Sequence, residues 1–197
     1  MPASKRLIER SDILPADVYA RERGERRARV TAMKRARRVA VGPFATFYFE
    51  NYETMFQQVH EMLHIERGGE EQIADELAAY NPLIPKGDEL VATLMFEIDD
   101  EGRRDRELRR LTGVEDHVYL DVGGLRVTAV PEQDVERTKA DGKTSSVHFL
   151  HFPFKVQEIE KFRDPAVQVT LAIAHPNYGH MALIAGETRA SLAADFA

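Results

Sequence analysis

The stretch from Tyr52 to Glu66, YETMFQQVHEMLHIE, constrains the fold more than any other part of the chain. At 100° per residue its apolar side chains fall on one arc, which is the stripe of a helix that packs on a core. The residues on this arc are Tyr52, Met55, Phe56, Val59, Met62, Leu63 and Glu66. The pattern therefore predicts a core-facing helix with one carboxylate, that of Glu66, on its apolar side.

Short apolar runs bounded by glycine and proline turns predict strands along the chain after residue 38. These runs are 39–41, 45–50, 90–98, 118–122, 125–130, 146–154, 167–175 and 181–184. Helices are predicted over 15–35, where Gly24 interrupts or weakens the helix, and over 70–79, 100–111, 131–139, 156–162 and 187–195. Strands joined mostly by short turns indicate an α+β fold: a single domain with a largely antiparallel sheet and helices packed on it.

A chain of 197 residues is long enough for one domain with a core of its own. It contains no cysteine, so disulfides, thiol nucleophiles and cysteine-ligated metals are excluded. Any metal must be held by His, Asp, Glu or Tyr. The chain has no apolar run of signal-peptide or membrane-span length, so we expect a cytoplasmic protein with no membrane contact.

The charge is distributed unevenly along the chain. Residues 1–38 carry 12 Lys/Arg against 5 Asp/Glu, a net of +7, and residues 39–197 carry 15 against 28, a net of −13. We expect residues 1–38 to form a basic helical arm that belongs to one folding unit with residues 39–197. The arm lacks the interleaved aromatic residues that stack on bases, which disfavours nucleic acid as a partner.

The segment His60-Glu61-Met62-Leu63-His64 matches the HExxH pattern of metallopeptidases. In that pattern two histidines four apart ligate zinc from one helix face, and the glutamate activates water. The spacing of His60, Glu61 and His64 fits a zinc hydrolase. The familiar third ligand is absent, because Arg67-Gly68-Gly69 follows. The alternative is a polar outer face of the helix.

Strand alternation places histidines among core residues. His148 falls on the side of Leu150 and Phe152, and His175 continues a row of apolar residues in the strand 167–175. With the inward Glu66 they could form a two-His-one-carboxylate site for one non-haem divalent metal, iron or zinc. The alternative is that each imidazole is a hydrogen-bonded core residue.

The segment Tyr80-Asn81-Pro82-Leu83-Ile84-Pro85 has two prolines three residues apart, which forbids regular structure and predicts an apolar loop. Such a loop either packs over an edge of the core, or lines a pocket or a partner surface with residues such as Leu83 and Ile84.

Several motifs together resemble one bacterial family. They are KRARRVAVGP at 34–43, QxxEMLxIER at 58–67, AYNPLIP at 79–85, KTSSVHFLHF at 143–152 and HPNY at 175–178. The chain resembles, over nearly its whole length, the family known as domain of unknown function 3501. Glu61, Glu66, His148 and His175 match the family pattern, whereas His60 and His64 do not.

The resemblance implies little about activity. Members of the family are often encoded beside rubrerythrin and an iron–sulfur oxidoreductase, which implies a role in redox or peroxide metabolism and names these two proteins as candidate partners. Three functions stay open from the sequence: a metal-binding accessory factor of such a system, a non-catalytic protein-binding module, and a zinc hydrolase. A homo-oligomer is compatible with each of them.

Overall fold

The computed structural model describes residues 5–132 and 143–197. In this part of the chain the α-helices are α1 Ala16–Arg35, α2 Tyr52–Glu66, α3 Gly69–Tyr80, α4 Glu101–Arg110, α5 Val156–Arg163 and α6 Gly186–Ala193. The strands are β1 Arg38–Val41, β2 Ala45–Phe49, β3 Glu89–Phe96, β4 Val118–Val122, β5 Leu125–Thr128, β6 Val130–Pro131, β7 Val147–Pro153, β8 Val169–His175 and β9 Tyr178–Leu183. Short 3-10 helices lie at Arg10–Asp12, Asn81–Leu83 and Val114–His117.

The described strands form two antiparallel sheets. The first has the order β1-β2-β3-β7-β6, and the second has the order β5-β4-β8-β9. Gly123 and Gly124 both adopt positive φ between β4 and β5, as a tight two-residue hairpin turn requires. The predicted α+β single domain with a largely antiparallel arrangement is confirmed, with the strands divided between two sheets.

The main core lies between these sheets. Because side chains alternate along each strand, Phe47 and Phe49 of β2 and Phe152 of β7 lie on the inner face of the first sheet. They belong to the same core cluster as Leu171 and Ile173 of β8, in the second sheet. Each fully buried phenylalanine stabilises the fold by about 1.5–3 kcal/mol relative to an exposed one. Helices α5 and α6 close this core with Phe162 and Leu192.

A second apolar cluster covers the other side of the first sheet. It contains Met55 and Val59 of α2, Ile8 of the N-terminal segment, Val91 of β3 and Leu83. Helix α2 therefore packs on the sheet through its apolar stripe, as the sequence predicted. The result is a layer of helices on a two-sheet core.

A buried ion pair joins the junction between α1 and β1 to the C-terminal segment. Arg37 is 2% exposed and pairs with Asp195. Its guanidinium also donates to the carbonyl oxygens of Phe49 and Glu50, each at 2.9 Å. Because these groups are buried, removing either charged partner would leave the other uncompensated.

Most predicted elements agree with the structure within a few residues, and two points differ. Helix α1 runs through Gly24 without interruption. A 3-10 turn at Asn81–Leu83 forms where the prolines were expected to forbid regular structure, because Pro82 fits the first turn of such a helix. The predicted helix over 131–139 falls almost wholly outside the described residues. None of the described helices has the length and apolarity needed to cross a membrane.

Candidate functional site

Helix α2 is covered on two sides. Its N-terminus is capped by Asn51, whose side chain accepts a hydrogen bond from the main-chain N–H of Thr54 at 3.0 Å. Its apolar stripe lies on the first sheet, and the side that carries His60 and Glu61 packs against α1. His60 is only 2% exposed. The expectation that the HExxH residues form a polar outer face is therefore wrong.

Both ring nitrogens of His60 bind the main chain. Nδ1–H donates to the carbonyl oxygen of Phe56 at 2.8 Å, and Nε2 accepts from the N–H of Leu14 at 3.0 Å. Burial lowers the pKa of His60, which favours the neutral ring that this pair of bonds requires. The ring also packs against those of Phe56 and Tyr19, with centroids 4.2 and 4.9 Å away. His60 thus fastens the segment before α1 to α2.

Glu61 is the centre of a hydrogen-bond network between α1 and α2. Arg23 holds both of its carboxylate oxygens, at 2.9 and 2.8 Å, and the hydroxyl of Tyr19 donates to Oε1 at 2.6 Å. Gln57 donates to Oε1 at 3.1 Å. The Arg23 guanidinium lowers the pKa of Glu61 to about 2. A carboxylate this weakly basic is a poor general base.

The third residue of the motif, His64, is partly exposed and its ring lies 5.9 Å from that of Tyr19. A zinc ion at the motif would have to displace the main-chain bonds of His60. The base of the hydrolase mechanism, Glu61, is already held by Arg23. The geometry gives the zinc-hydrolase prediction no support, and it stays a prediction.

The two strand histidines lie in different sheets. His148 of β7 is fully buried, and its Nε2–H donates to the carbonyl oxygen of Ser145 at 2.9 Å. At the end of β8, His175 donates from Nε2–H to the carbonyl oxygen of Thr112 at 3.2 Å. Its Nδ1 accepts from the N–H of Asn177, also at 3.2 Å. Both nitrogens of His175 are therefore used by the main chain.

Glu66 does not point into the core. It lies at the C-terminal end of α2, is exposed, and accepts a hydrogen bond from Gln72 at 2.8 Å. The prediction of an inward carboxylate is wrong, because Glu66 is the last residue of α2 and its exposed side chain is bound by Gln72 of α3 and is not packed on the core.

The predicted metal ligands are not brought together. Within residues 5–132 and 143–197, no group of three or more His, Asp or Glu side chains is arranged to hold a metal ion. His148 lies 3.8 Å from a carboxylate, but that carboxylate belongs to Glu115 and not to Glu66. A metal at His148 and His175 stays a prediction without support from this geometry.

A groove of about 770 Å³ opens where α1, α2 and α3 meet the N-terminal segment. Its floor is apolar and includes Ile13, Leu14, Tyr19, Leu63 and Ile73. Its rim is charged and includes Arg10, Asp17, Arg67 and Glu70, with His64 on the wall. The size and the combination of an apolar floor with few polar groups are typical of a small-molecule site.

Arg67 is the unusual residue of this groove. It ends α2 with φ of 56° and ψ of 35°, the left-handed conformation that glycine usually adopts at this position. Among the described residues it alone has positive φ without being glycine. The chain places an arginine there although Gly68 and Gly69 follow directly. Strained backbone of this kind is concentrated at functional sites.

The apolar loop Tyr80–Pro85 packs inward. Leu83 and Ile84 are 3% and 1% exposed, and both belong to the cluster beneath α2. Lys86 Nζ donates to the carbonyl oxygen of Asn81 at 2.9 Å, which fastens the turn. The loop thus packs over the core, and Tyr80 and Leu83 also line a small cavity. The burial of Leu83 and Ile84 gives the partner-surface alternative no support, and it stays a prediction.

Much of the positive charge of α1 is matched by nearby carboxylates. Arg21 pairs with Asp17, Arg26 with Glu22, Arg23 with Glu61 and Arg29 with Glu53. The last two pairs reach from α1 to α2. The basic arm is thus bound to the acidic body of its own chain.

Sequence reasoning missed Arg67 and Tyr19. The run Arg67-Gly68-Gly69 signals the end of a helix, but a glycine was the expected left-handed residue. Tyr19 is buried in a helix that is rich in charged residues and has only one other buried residue, Val30, so no periodic apolar pattern marks it. Only the contact with α2 identifies it.

The fold and groove define a two-sheet α+β protein with a helical layer. The chain belongs to the family described as Protein of unknown function (DUF3501), which it matches over residues 7–196. It is also similar to a novel protein of unknown function from Burkholderia pseudomallei, whose crystal structure superposes with a TM-score of 0.89 at 38% sequence identity. That match covers 96% of this chain and 99% of the other. Among curated proteins no match was found.

Proposed function

We propose that this protein is a non-catalytic binding protein whose groove between α1, α2 and α3 holds a small amphipathic carboxylate. The apolar body of the ligand lies on the floor of the groove, and its carboxylate pairs with the guanidinium of Arg67. The observation that carries the proposal is the position of Arg67 on the rim of the groove in a strained backbone conformation.

The charges on the rim support an anionic ligand. Arg10 forms an ion pair with Glu70, with Nε and Oε2 3.1 Å apart, and Asp17 forms one with Arg21 at 2.8 Å. In the part of the chain that the structure describes, Arg67 forms no ion pair and only its main-chain N–H is hydrogen-bonded. An arginine in this state offers a planar fork of donors that matches a carboxylate.

The floor supports an apolar body on the ligand. Ile13, Leu63 and Ile73 come from three separate elements and converge on the groove. Burying an alkyl chain against them stabilises a complex by about 0.8 kcal/mol for each methylene removed from water. Binding, and not reaction, is the role proposed, because His60 and Glu61 are committed to contacts within the protein.

The test is a calorimetric titration with octanoate, with octanol and octylammonium as ligands of the same chain length. We expect saturable binding of octanoate and at least tenfold weaker binding of the other two. Arg67→Gln should weaken octanoate binding at least tenfold while keeping the strained backbone. Leu63→Asp should abolish binding, since it places a carboxylate on the floor. Equal binding of all three ligands, or of octanoate to wild type and Arg67→Gln, would contradict the proposal.

The family resemblance implies a role in peroxide or redox metabolism beside rubrerythrin and an iron–sulfur oxidoreductase. That role stays a prediction. Co-purification of the untagged protein with each candidate partner tests it. A partner that binds wild type and Arg67→Gln equally would use a surface other than the groove.

A further inference from the structure

A second cavity contains a buried carboxylate that the groove does not use. Glu50 follows the last residue of β2, and strand alternation turns it away from Phe49 and the inter-sheet core. Its main chain is fixed at both ends: the N–H donates to the carbonyl oxygen of Val91 at 2.8 Å, and its own carbonyl accepts from Arg37 at 2.9 Å. The side chain therefore starts from a rigid position.

Only one oxygen of this carboxylate has a partner. Glu50 is 4% exposed, and Oε1 accepts a hydrogen bond from the hydroxyl of Thr93 at 2.7 Å. Oε2 is also buried, and no described residue donates a hydrogen bond to it. A buried carboxylate oxygen without a donor is costly, so its presence points to a group that the chain does not supply.

The surroundings indicate the kind of group. Glu50 lines a cavity of about 280 Å³ between α2 and the outer side of the first sheet. Its walls are aromatic rings and thioethers, from Tyr48, Tyr80, Phe149, Met55 and Met95. Aromatic faces attract cations, and methionine adapts to irregular alkyl groups. A carboxylate among such walls suits an organic cation with a short alkyl chain.

Lys34 is the residue with a positive charge among those that line this cavity, and so is the candidate for an internal partner of Glu50. It comes from the last turn of α1 and lines the same cavity. No ion pair joins Lys34 to Glu50 within 4.0 Å in the described structure, although both side chains line this small space. An ammonium ligand would therefore meet repulsion from Lys34 and attraction from Glu50.

We propose that this cavity is a binding site for a small primary alkylammonium ion. Its N–H group donates to Oε2 of Glu50, and its alkyl chain contacts the aromatic and methionine side chains. A quaternary ammonium has no N–H to donate, whereas a primary ammonium offers three and adds the least bulk around the nitrogen, so a primary amine is the preferred class in this small cavity. The cavity shares no lining residue with the groove, and this inference is independent of the proposed function.

The experiment follows backbone amide shifts during titration of the full chain with butylammonium, and with butanol and butyrate as matched neutral and anionic probes. We expect saturable shifts near Glu50 and Thr93 with butylammonium alone. Glu50→Gln should weaken this binding at least tenfold, and Lys34→Met should strengthen it at least threefold. Thermal melts of both variants verify that the fold is retained.

Lys34→Met keeps the proposal testable if Glu50→Gln does not fold, because it removes a repulsive charge and leaves the carboxylate intact. Unchanged or weaker butylammonium binding in Lys34→Met would overturn the proposal, because removal of a positive charge from the cavity should favour a cation that binds Glu50. Absence of butylammonium binding in both wild type and Lys34→Met would also overturn it, leaving water as the occupant. Equal binding of butanol and butylammonium would show an apolar cavity without cation recognition.

Discussion

Nε2 of His60 accepts a hydrogen bond from the main-chain N–H of Leu14, 3.0 Å away, and so joins the segment before α1 to the centre of α2. The bond lies at the floor of the groove, which both residues line. A residue that the HExxH pattern presents as a zinc ligand is thus a structural connection. The shape of the groove depends on it.

The first prediction concerns this connection. His60→Ala should lower the free energy of unfolding by about 2–4 kcal/mol, because it removes a packed ring and leaves the N–H of Leu14 without its acceptor. His64→Ala, on the partly exposed wall, should cost less than about 1 kcal/mol. Urea denaturation measures both. Similar losses for the two variants would show that the His60 contacts contribute little.

Glu61 should give the protein part of its resistance to acid. Its pKa is lowered from the usual 4.5 to about 2 by Arg23, so its stabilising effect is complete above pH 4.5 and is lost as the pH falls towards 2. Glu61→Gln should be less stable than wild type by about 1–3 kcal/mol at pH 7. The difference should narrow between pH 4.5 and 2 in urea denaturation series. Glu66→Gln, a change at an exposed carboxylate, should follow the wild-type profile.

The contribution of His151 to stability should depend on pH in the opposite direction to that of Glu61. It lies between Glu89 and Glu132, at 2.8 and 2.9 Å, and hydrogen bonding to Glu89 raises its pKa above the usual 6.5. A raised pKa in the folded state gives stability that is fully present below pH 6.5 and is lost as the pH rises through the raised value. His151→Gln should lower stability by about 1–3 kcal/mol at pH 5.5 and much less at pH 9.

The matched control for His151 is His180→Gln, because His180 is exposed on β9. Its stability difference from wild type should be small and should not vary between pH 5.5 and 9. A His151→Gln profile parallel to that of wild type would show that the two carboxylates do not hold a charged imidazole.

Arg67→Gly should separate stability from binding. Glycine adopts the left-handed conformation at no steric cost, so the variant should gain about 0.5–1 kcal/mol in unfolding free energy. It should also bind octanoate at least tenfold more weakly. Arg67→Gln should also bind octanoate more weakly but should not gain stability, since glutamine keeps the strained left-handed backbone. A destabilised Arg67→Gly would mean that the arginine side chain itself supports the fold.

The metal prediction has a direct test. Untagged protein and the double variant His148→Ala, His175→Ala are analysed for bound iron and zinc. We expect well under one equivalent in both, because the main chain already uses the ring nitrogens of His175. One equivalent in wild type alone would restore the predicted site.

Local patterns in the sequence predicted the elements of the fold well. The apolar stripe of α2 is a property of neighbouring residues, and strand alternation correctly placed His148 on the buried side of β7 with Leu150 and Phe152. Glycine pairs predicted the β4–β5 turn for the same reason. Each of these signals depends on residues a few positions apart.

The candidate sites depend on contacts between distant segments, which no local pattern records. Glu50 directly follows β2, and the helix α2 and the Tyr80–Leu83 turn that enclose its cavity are distant from it in the sequence or belong to other elements. Likewise, α1 carries too few apolar residues to show which helix it packs on, so Tyr19 and Arg23 gave no sign of their contact with Glu61. His148 and His175 were correctly placed among core residues, but the sequence did not predict their hydrogen-bond partners.

One helix forms a wall of both cavities. Met55 and Gln58 of α2 face the compartment around Glu50, whereas Leu63 and Arg67 face the groove. A ligand that displaces α2 in one compartment would reshape the other, because the same helix lines both. Occupancy of the two compartments would then be linked, and each ligand would change the affinity of the other by the same factor.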